Sequence, residues 1–152
     1  MTEPLVGLGF DVHAFAPGRP LMLGGVRFDG REGLVGHSDG DVVCHALADA
    51  LLGAVALGDV GEHFPETDPA FAGMGGLDLL GRVVGVVRTA GAHPVSADLT
   101  VIAERPSIAT VRDALRRALF CNLRVTRNTP IGKGLHESCA ASGTWCRQGC
   151  GR

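Results

Sequence analysis

Apolar and polar positions alternate along the opening segment, residues 5–13. A strand with this period of two points Phe10 and Val12 to one face. Asp11 and His13 then lie side by side on the opposite face. Glycines on that same face would let another backbone or a ligand approach closely. The sequence therefore predicts a first strand that presents two polar side chains together.

Three later segments have apolar residues at helical spacing, over about 41–58, 75–90 and 107–120. Ser38 or Asp39 is the expected N-cap of the first helix, because short polar side chains satisfy the free N–H groups of a first turn. Glycines follow the first two helices and are the expected stops.

The remaining segments predict short strands and loops. Residues 16–36 are rich in glycine and predict a hairpin and loop, and 58–69 predict a polar loop. We expect strands over 95–104 and 122–127, whereas 128–152 show neither period. The order of strand, helix, helix, strand, helix is typical of an α/β (α+β) domain with helices on one face of a sheet.

Composition restricts the class of protein. With 152 residues, 45% hydrophobic content and a net charge of -2, the chain is expected to form one well-buried core. No basic patch indicates nucleic acid, and no run reaches the roughly 20 apolar residues of a membrane span. The first residues show no secretion signal, so we expect a cytoplasmic protein.

The composition changes near Phe120. Residues 1–120 hold nine basic and fifteen acidic residues, whereas 121–152 hold five and one. Four of the five cysteines also fall in the last stretch. We therefore divide the chain into a domain over 1–120 and an atypical segment over 121–152, with poor order expected beyond 128.

Asp11, His13 and His45 are candidate metal ligands. One carboxylate and two imidazoles leave a fourth position open, as in catalytic zinc sites. Asp49, one helical turn after His45, is a candidate to orient its imidazole. The alternative is that Asp11 and His13 are ordinary surface or capping residues, and this alternative is favoured if the pair is taken alone.

A polar cluster over 37–41 stands immediately before the first predicted helix. Free N–H groups at a helix N-terminus suit phosphate. An ordinary cap would explain Ser38 and Asp39, but it would not explain His37 and His45 together. The acidic loop that follows this helix is a further candidate, since loops often carry function.

Taken together, these motifs resemble 2-C-methyl-D-erythritol 2,4-cyclodiphosphate synthase over residues 5–120. Several long motifs agree in order and spacing. A single short motif could match by chance, but the chance that a set of this length does so is very small. The segments that carry the resemblance are Gly7-Leu8-Gly9-Phe10-Asp11-Val12-His13-Ala14-Phe15, His37-Ser38-Asp39-Gly40-Asp41, His45-Ala46-Leu47, Ala50-Leu51-Leu52-Gly53-Ala54, Gly58-Asp59-Val60-Gly61 and Phe64-Pro65-Glu66-Thr67-Asp68-Pro69.

The resemblance implies a fold and an activity. The fold would be a mixed sheet with helices on one face, in a ferredoxin-like arrangement, assembled as a homotrimer with active sites between subunits. The enzyme would be a phosphorus-oxygen lyase of non-mevalonate isoprenoid biosynthesis. Its substrate would be a cytidine diphosphate sugar alcohol, 4-diphosphocytidyl-2-C-methyl-D-erythritol 2-phosphate, which it would cyclise with release of CMP.

The resemblance also implies roles for individual residues. Asp11, His13 and His45 would hold Zn²⁺, which contacts the substrate phosphate, and Mg²⁺ or Mn²⁺ would accompany the substrate diphosphate. His37 would help to stabilise the transition state and would bind substrate together with Ser38. The residues expected to hold the methylerythritol part are Asp59, Gly61, Phe64, Glu66 and Asp68, and those expected at the cytidine pocket are Ala103 and Pro106.

Three features depart from the family pattern. Glu66 replaces a usual Asp, and Ser107 replaces a common Lys beside the cytidine phosphates. The family's final strand, Thr-Thr-x-Glu turn and helix cannot be recognised after Phe120, and Ile131 stands where a metal-binding Glu is expected. A shift of reading frame near Phe120 would produce this change, and resequencing of the coding DNA would test it.

The departures leave a second hypothesis open. The chain could be a non-catalytic remnant that still binds metal or cytidine nucleotide, because the altered end removes the expected second-metal carboxylate. An unrelated zinc hydrolase is disfavoured, since no candidate base is placed as in hydrolase motifs. Metal analysis with an assay of CMP release separates the first two hypotheses.

Overall fold

The structure is a computed structural model that describes residues 3–36, 38–103 and 105–123 with their side chains, and the backbone of 135–141 and 144–147. The strands are β1 (Phe15–Ala16), β2 (Leu21–Leu23), β3 (Val26–Phe28), β4 (Gly33–Leu34), β5 (Leu99–Ile102), β6 (Leu135–Ala141) and β7 (Thr144–Arg147). The helices are α1 (Val42–Ala54), α2 (Val60–His63), α3 (Gly76–Thr89) and α4 (Arg112–Leu123), with short 3-10 helices at Pro69–Phe71 and Ile108–Thr110.

The predicted hairpin is formed by β2 and β3. Its two-residue turn is Gly24-Gly25, and Leu23 pairs with Val26. Both glycines have positive φ, 55° and 75°, which is the backbone conformation that two-residue hairpin turns favour. The first strand of the domain, β1, pairs antiparallel with β4 beside this hairpin.

A three-stranded mixed sheet carries one side of the fold. β5 pairs parallel with β6, and β6 pairs antiparallel with β7. Along β5, Leu99 and Val101 pack against the buried core, whereas Thr100 and Ile102 are exposed. The alternation puts the helices on one face of β5, and the predicted α+β class with a mixed sheet is confirmed.

The core lies between α1, α3 and α4. Leu52 and Leu80 are fully buried, and Leu115 is 1% exposed. Burying a side chain of this size stabilises a fold by roughly 1.5–3 kcal/mol. The three predicted helices are therefore confirmed, and Gly91, with φ of 84°, follows the end of α3 as expected.

Helix α1 begins and ends differently from the prediction. Its N-cap is Asp41, not Ser38 or Asp39. The helix stops at Ala54 instead of continuing towards Gly58. Ala56 takes the left-handed conformation and Leu57 N donates to Leu52 O, which together form a Schellman-type ending.

The opening segment 5–13 is not a strand, contrary to the prediction. Its glycine face lies on α1: a Cβ atom added at Gly7 would meet Ala50 O at 1.8 Å, and one added at Gly9 would meet Ala46 O at 1.8 Å. The segment therefore packs on a helix and, within the described residues, is not hydrogen-bonded to a neighbouring strand. Because a strand requires such a neighbour, the segment is not one. The predicted alternation nevertheless holds, because Phe10 is exposed while Asp11 is half-buried.

Other boundaries also differ. The loop predicted over 58–69 contains α2. Residues 122 and 123, predicted to begin a strand, belong to the last turn of α4, and 124–127 lie outside the described residues. Strands β6 and β7 fall within 128–152, where we expected no regular structure. Within the described part of the chain, no helix has the length and apolar character needed to cross a membrane.

Candidate metal and substrate site

The three predicted metal ligands come together at one point. Asp11 Oδ2 lies 3.1 Å from His13 Nε2 and 3.0 Å from His45 Nδ1. One ligand atom from each of the three residues lies within 4.8 Å of the other two. The three side chains are only 17–20% exposed. Residues from the opening segment and from α1 therefore form one half-buried cluster.

The glycines of the opening segment explain why the two elements approach so closely. A side chain at position 7 or 9 would overlap carbonyl oxygens of α1. With hydrogen in place of Cβ, the segment lies directly on the helix. Asp11 continues the alternation of Gly7 and Gly9 and so faces the same helix, where it contacts His45, the residue before Ala46.

Electrostatics within the cluster favour the charged pair of Asp11 and His45. Burial would raise the pKa of Asp11, but the hydrogen bond from His45 and the charges of His13 and His45 outweigh it and lower the pKa. Burial would lower the pKa of His45, but the hydrogen bond to Asp11 and the nearby carboxylates outweigh it and raise the pKa. The cluster thus favours a cation beside Asp11.

A backbone carbonyl orients the second imidazole. His13 Nδ1–H donates to Val35 O, immediately after β4. A carbonyl oxygen only accepts hydrogen bonds, so the proton must be on Nδ1. Nε2, the nitrogen beside Asp11, is then left with a lone pair when the ring is neutral. This partner fixes both the tautomer and the ring orientation that a metal ligand requires.

The donor set fits zinc. Bonds of about 2.0–2.1 Å in tetrahedral array separate neighbouring ligand atoms by roughly 3.3 Å. The Asp11 oxygen lies at 3.0 and 3.1 Å from the two nitrogens, close to this separation. Two imidazoles and one carboxylate are ordinary zinc ligands, and the partial exposure of the cluster leaves room for a fourth.

Asp49 has a different partner from the one we expected. Its Oδ1 accepts a hydrogen bond from Val60 N at 2.8 Å, at the start of α2. The carboxylate that contacts His45 Nδ1 is Asp11. Asp49 therefore ties α1 to the acidic loop.

The polar cluster before α1 is held by many hydrogen bonds. Ser38 Oγ accepts from Gly40 N at 3.3 Å, and Asp39 accepts from Asp41 N at 3.2 Å and from Gly76 N at 2.9 Å. Ser38 is half-buried. His37, the predicted catalytic residue, lies outside the described residues.

The predicted methylerythritol-binding residues lie in and around α2. Asp59 and Asp68 are N-caps, accepting from Glu62 N at 3.0 Å and from Ala70 N at 2.9 Å. Phe64 packs edge-to-face on Phe71 with ring centroids 5.3 Å apart. Capping and substrate binding are compatible roles, since a carboxylate has two oxygens. The other two predicted residues, Gly61 and Glu66, are exposed.

The predicted cytidine-pocket residues follow β5. Ala103 and Pro106 are half-buried, and Glu104 between them lies outside the described residues. Pro106 lines a cleft of about 420 Å³. The other residues that line it are Phe15, Leu21, Gly30, Arg31, Glu32 and Arg105.

Sequence reasoning missed two features of this site. The acceptor for His13 is the carbonyl of Val35, and every residue has such a carbonyl, so the sequence carried no signal for it. Asp41 is fully buried and accepts from Gly24 N at 2.7 Å and Gly25 N at 2.6 Å. Its position one residue before the helix was a usable signal for its capping role.

A profile of the YgbB family matches residues 5–131 of the chain. The chain belongs to the YgbB family. The match includes all three residues of the metal-ligand cluster and extends beyond residue 120.

Several named proteins and solved structures are similar to this chain. The 2-C-methyl-D-erythritol 2,4-cyclodiphosphate synthase of Symbiobacterium thermophilum is 57% identical over 121 residues, which cover 80% of this chain and 77% of that protein. A solved structure of a 2C-methyl-D-erythritol-2,4-cyclodiphosphate synthase superimposes with a TM-score of 0.81 at 38% identity, covering 89% of this chain and 88% of the other. A CDP-bound form of such a synthase gives 0.80 at 37% identity, with the same coverage.

Proposed function

We propose that this chain cyclises 4-diphosphocytidyl-2-C-methyl-D-erythritol 2-phosphate to 2-C-methyl-D-erythritol 2,4-cyclodiphosphate and releases CMP. The observation that carries the proposal is the convergence of Asp11, His13 and His45 in a chain of this family. Relatives at up to 57% identity bear the name of that synthase, which supports the assignment. The activity class is that of a phosphorus-oxygen lyase in the non-mevalonate route.

The reaction does not require a strong general base. A 2-phosphate oxygen of the substrate attacks the β-phosphorus and forms the ring P–O bond. The bond from the β-phosphorus to its bridging oxygen breaks, and CMP leaves with that electron pair. The nucleophile is already an anion, so the main task is to fold a flexible substrate into in-line geometry.

The residues of this chain would divide that task. Asp11, His13 and His45 would hold Zn²⁺, which supplies positive charge to a substrate phosphate when bound. Ser38 and His37 would bind the phosphorylated part, with His37 stabilising the transition state. The remaining assignments are the methylerythritol-binding residues Asp59, Gly61, Phe64, Glu66 and Asp68, and the cytidine-pocket residues Ala103 and Pro106.

A second cation and the assembly are also parts of the proposal. Mg²⁺ or Mn²⁺ would accompany the substrate diphosphate, whose charge such hard cations neutralise. We propose a homotrimer that works in the cytoplasm. The exposed apolar side chains along the opening segment, among them Leu8 (94% exposed), support a covered face in the assembled protein.

Metal content and turnover test the proposal on the purified chain. We expect one Zn²⁺ per chain by elemental analysis and CMP release that requires added Mg²⁺ or Mn²⁺. Asp11→Asn should lower zinc affinity and turnover by at least about 10-fold to 100-fold, because it removes the charge that both imidazoles face. Asp29→Asn, at an exposed carboxylate immediately after β3, is the matched control.

The outcomes separate the two hypotheses. Zinc bound with CMP released supports the synthase, with 2-C-methyl-D-erythritol 2,4-cyclodiphosphate as the other product. Zinc bound without CMP release would refute the synthase and leave the non-catalytic remnant. An Asp11→Asn variant that retains full zinc content would refute the metal assignment.

A further inference from the structure

Arg19 makes a contact that neither the proposed mechanism nor the metal cluster uses. It lies in the turn before β2, and its guanidinium is directed to the loop between β4 and α1. Nη1–H donates to Gly36 O, and Nη2–H donates to Ser38 O. One half-buried side chain thus bridges two carbonyls of the loop that carries Ser38.

The shape of the guanidinium suits this contact. Arginine presents several N–H donors in a rigid, planar fork, whereas lysine presents its donors at a single point. Carbonyls in an irregular loop have no ladder partners and must be satisfied by side chains or water. Two donors held at a fixed spacing therefore restrict the loop more than two separate contacts would.

The same loop also supports the metal cluster. His13 Nδ1–H donates to Val35 O, the residue before Gly36. A Cβ atom at Gly36 would lie 3.5 Å from His13 Cε1, so the loop backbone lies against the imidazole. Val35 is therefore held by a metal-ligand imidazole, and Gly36 and Ser38 are held by Arg19.

We propose that Arg19 is a positioning residue for the loop between β4 and α1, which carries the proposed substrate-binding residue Ser38. It holds the carbonyls of Gly36 and Ser38 so that Ser38 meets the substrate beside the metal cluster. Its donors bind backbone carbonyls, so it acts through the loop and not by contact with substrate. This inference rests on the proposed function for its effect on turnover, but the clamp itself is testable without turnover.

The test compares Arg19→Ala and Arg19→Lys with the control Arg27→Ala. Arg27 is an exposed hairpin arginine that pairs with Asp29, outside the proposed site. Elemental analysis reports zinc, amide hydrogen exchange reports the loop, and steady-state kinetics report turnover. Ethylguanidinium is added to Arg19→Ala to test whether a free guanidinium group can replace the missing side chain. Propylamine, which carries a charge but no guanidinium group, is the control.

Both Arg19 variants should keep their zinc, because Arg19 bonds Gly36 O and Ser38 O, whereas the contact of the loop with the ligand His13 is made by Val35 O. Amide exchange at Gly40 and Asp41, whose N–H groups bond Ser38 and Asp39 side chains, should become about 10-fold faster. Turnover, kcat, should fall about 10-fold to 100-fold with a smaller change in KM, as expected for misplaced groups. Ethylguanidinium should restore part of kcat, whereas propylamine should not.

Several results would overturn the inference. Unchanged loop exchange in Arg19→Ala would do so, as would full kcat in Arg19→Lys, since charge alone would then suffice. If Arg19→Ala does not fold, the Arg19→Lys variant decides. If the wild-type chain releases no CMP, the proposed reaction fails, but the exchange measurement still supports or refutes the clamp.

Discussion

Asp11 is the residue on which the metal cluster depends. Its Oδ2 contacts both imidazole nitrogens, which come from different parts of the chain. Two imidazoles that share one carboxylate oxygen need either protons or a metal ion between them. The pKa of Asp11 is lowered and that of His45 is raised, so an anion beside a cation is the preferred state of the metal-free site.

This pair makes the stability of the metal-free chain depend on pH. His45 has a raised pKa, so its contribution is full below its ordinary value of 6.5 and is lost as pH rises through the raised value. Asp11 has a lowered pKa, so its contribution is present above 3.8 and is lost as pH falls through the lowered value. Both contributions are therefore present between 3.8 and 6.5.

We expect His45→Gln to destabilise the metal-free chain more at about pH 5.5 than at about pH 8.5. Thermal unfolding with a chelator present, for wild type and variant at both pH values, measures this difference. His93→Gln, at an exposed histidine outside the cluster, is the control. A destabilisation that is equal at both pH values, or larger at the higher one, would contradict the linkage.

Residue types and spacing, together with the family resemblance, predicted the cluster but not the groups that support it. A carboxylate and an imidazole two positions apart share a strand-like face, and the third ligand, His45, lies in the first turn of α1. Those relations survive even though segment 5–13 is not a strand. The groups that support the cluster are backbone carbonyls of Val35, Gly36 and Ser38. Every residue has such a carbonyl, so their roles depend on the path of the loop and cannot be predicted from residue types.

At the scale of elements, Asp41 joins α1 to the β2–β3 hairpin. Its carboxylate accepts from Val43 N and Cys44 N at the start of the helix, and from both glycines of the hairpin turn. The side chain is fully buried. One carboxylate thus accepts from four N–H groups at the start of α1 and in the hairpin turn.

We expect Asp41→Ala to lower the free energy of unfolding by about 2–4 kcal/mol, from a lost cap and unsatisfied buried donors. Asp41→Asn should cost less, because its side-chain oxygen still accepts, although its amide opposes one N–H group. Urea denaturation measures both, with Asp29→Ala, 85% exposed at its side chain, as the control. Equal stability of Asp41→Ala and wild type would show that the buried contacts contribute nothing.

The contact between segment 5–13 and α1 depends on glycine at position 9. A Cβ atom in Gly9→Ala would lie 1.8 Å from Ala46 O, so two backbones must separate. We expect a loss of about 1–3 kcal/mol of stability, together with weaker zinc binding, because Asp11 moves with the segment. Unfolding measurements and zinc titration of the same variant check both effects.

Gly53→Ala is the matched control for Gly9→Ala. Gly53 lies in α1, the helix that Gly9 packs against, but no heavy atom is within 4 Å of a Cβ atom added at Gly53. Alanine is favoured in a helix interior, so this variant should gain about 0.5–1 kcal/mol with unchanged zinc binding. If both variants behaved alike, close packing at Gly9 would not be the cause.

Helices were easier to predict than strands because a helix bonds within itself. The apolar stripes of α3 and α4 could be predicted from local spacing alone, and their residues Leu80 and Leu115 are buried. A strand needs a partner from elsewhere, so the alternation over 5–13 gave the right faces but the wrong element. Likewise β6 pairs with β5 across more than thirty residues, and no local pattern predicted it.

At the scale of the whole molecule, the outer face of segment 5–13 is unusually apolar. Val6 is 91% exposed, Leu8 94%, Phe10 77% and Val12 75%. The opposite face of the segment is covered by α1, so these four side chains form a strip on the surface of a single chain. An apolar strip of this kind is typical of a surface that is covered in an assembly.

We therefore expect Leu8→Lys to weaken the proposed trimer. Covering a leucine contributes roughly 1.5–3 kcal/mol, and each 1.4 kcal/mol is a tenfold change in association. Light scattering on a size-exclusion column should give the wild type about three times the chain mass of 15.7 kDa, and the variant a smaller mass at equal concentration. Val95→Lys, at an exposed valine outside the strip, is the control and should remain assembled. A wild-type chain that elutes as a monomer, or a Leu8→Lys variant with unchanged mass, would contradict this role of the strip. Zinc content should stay the same in both variants, because the strip faces away from the ligand cluster.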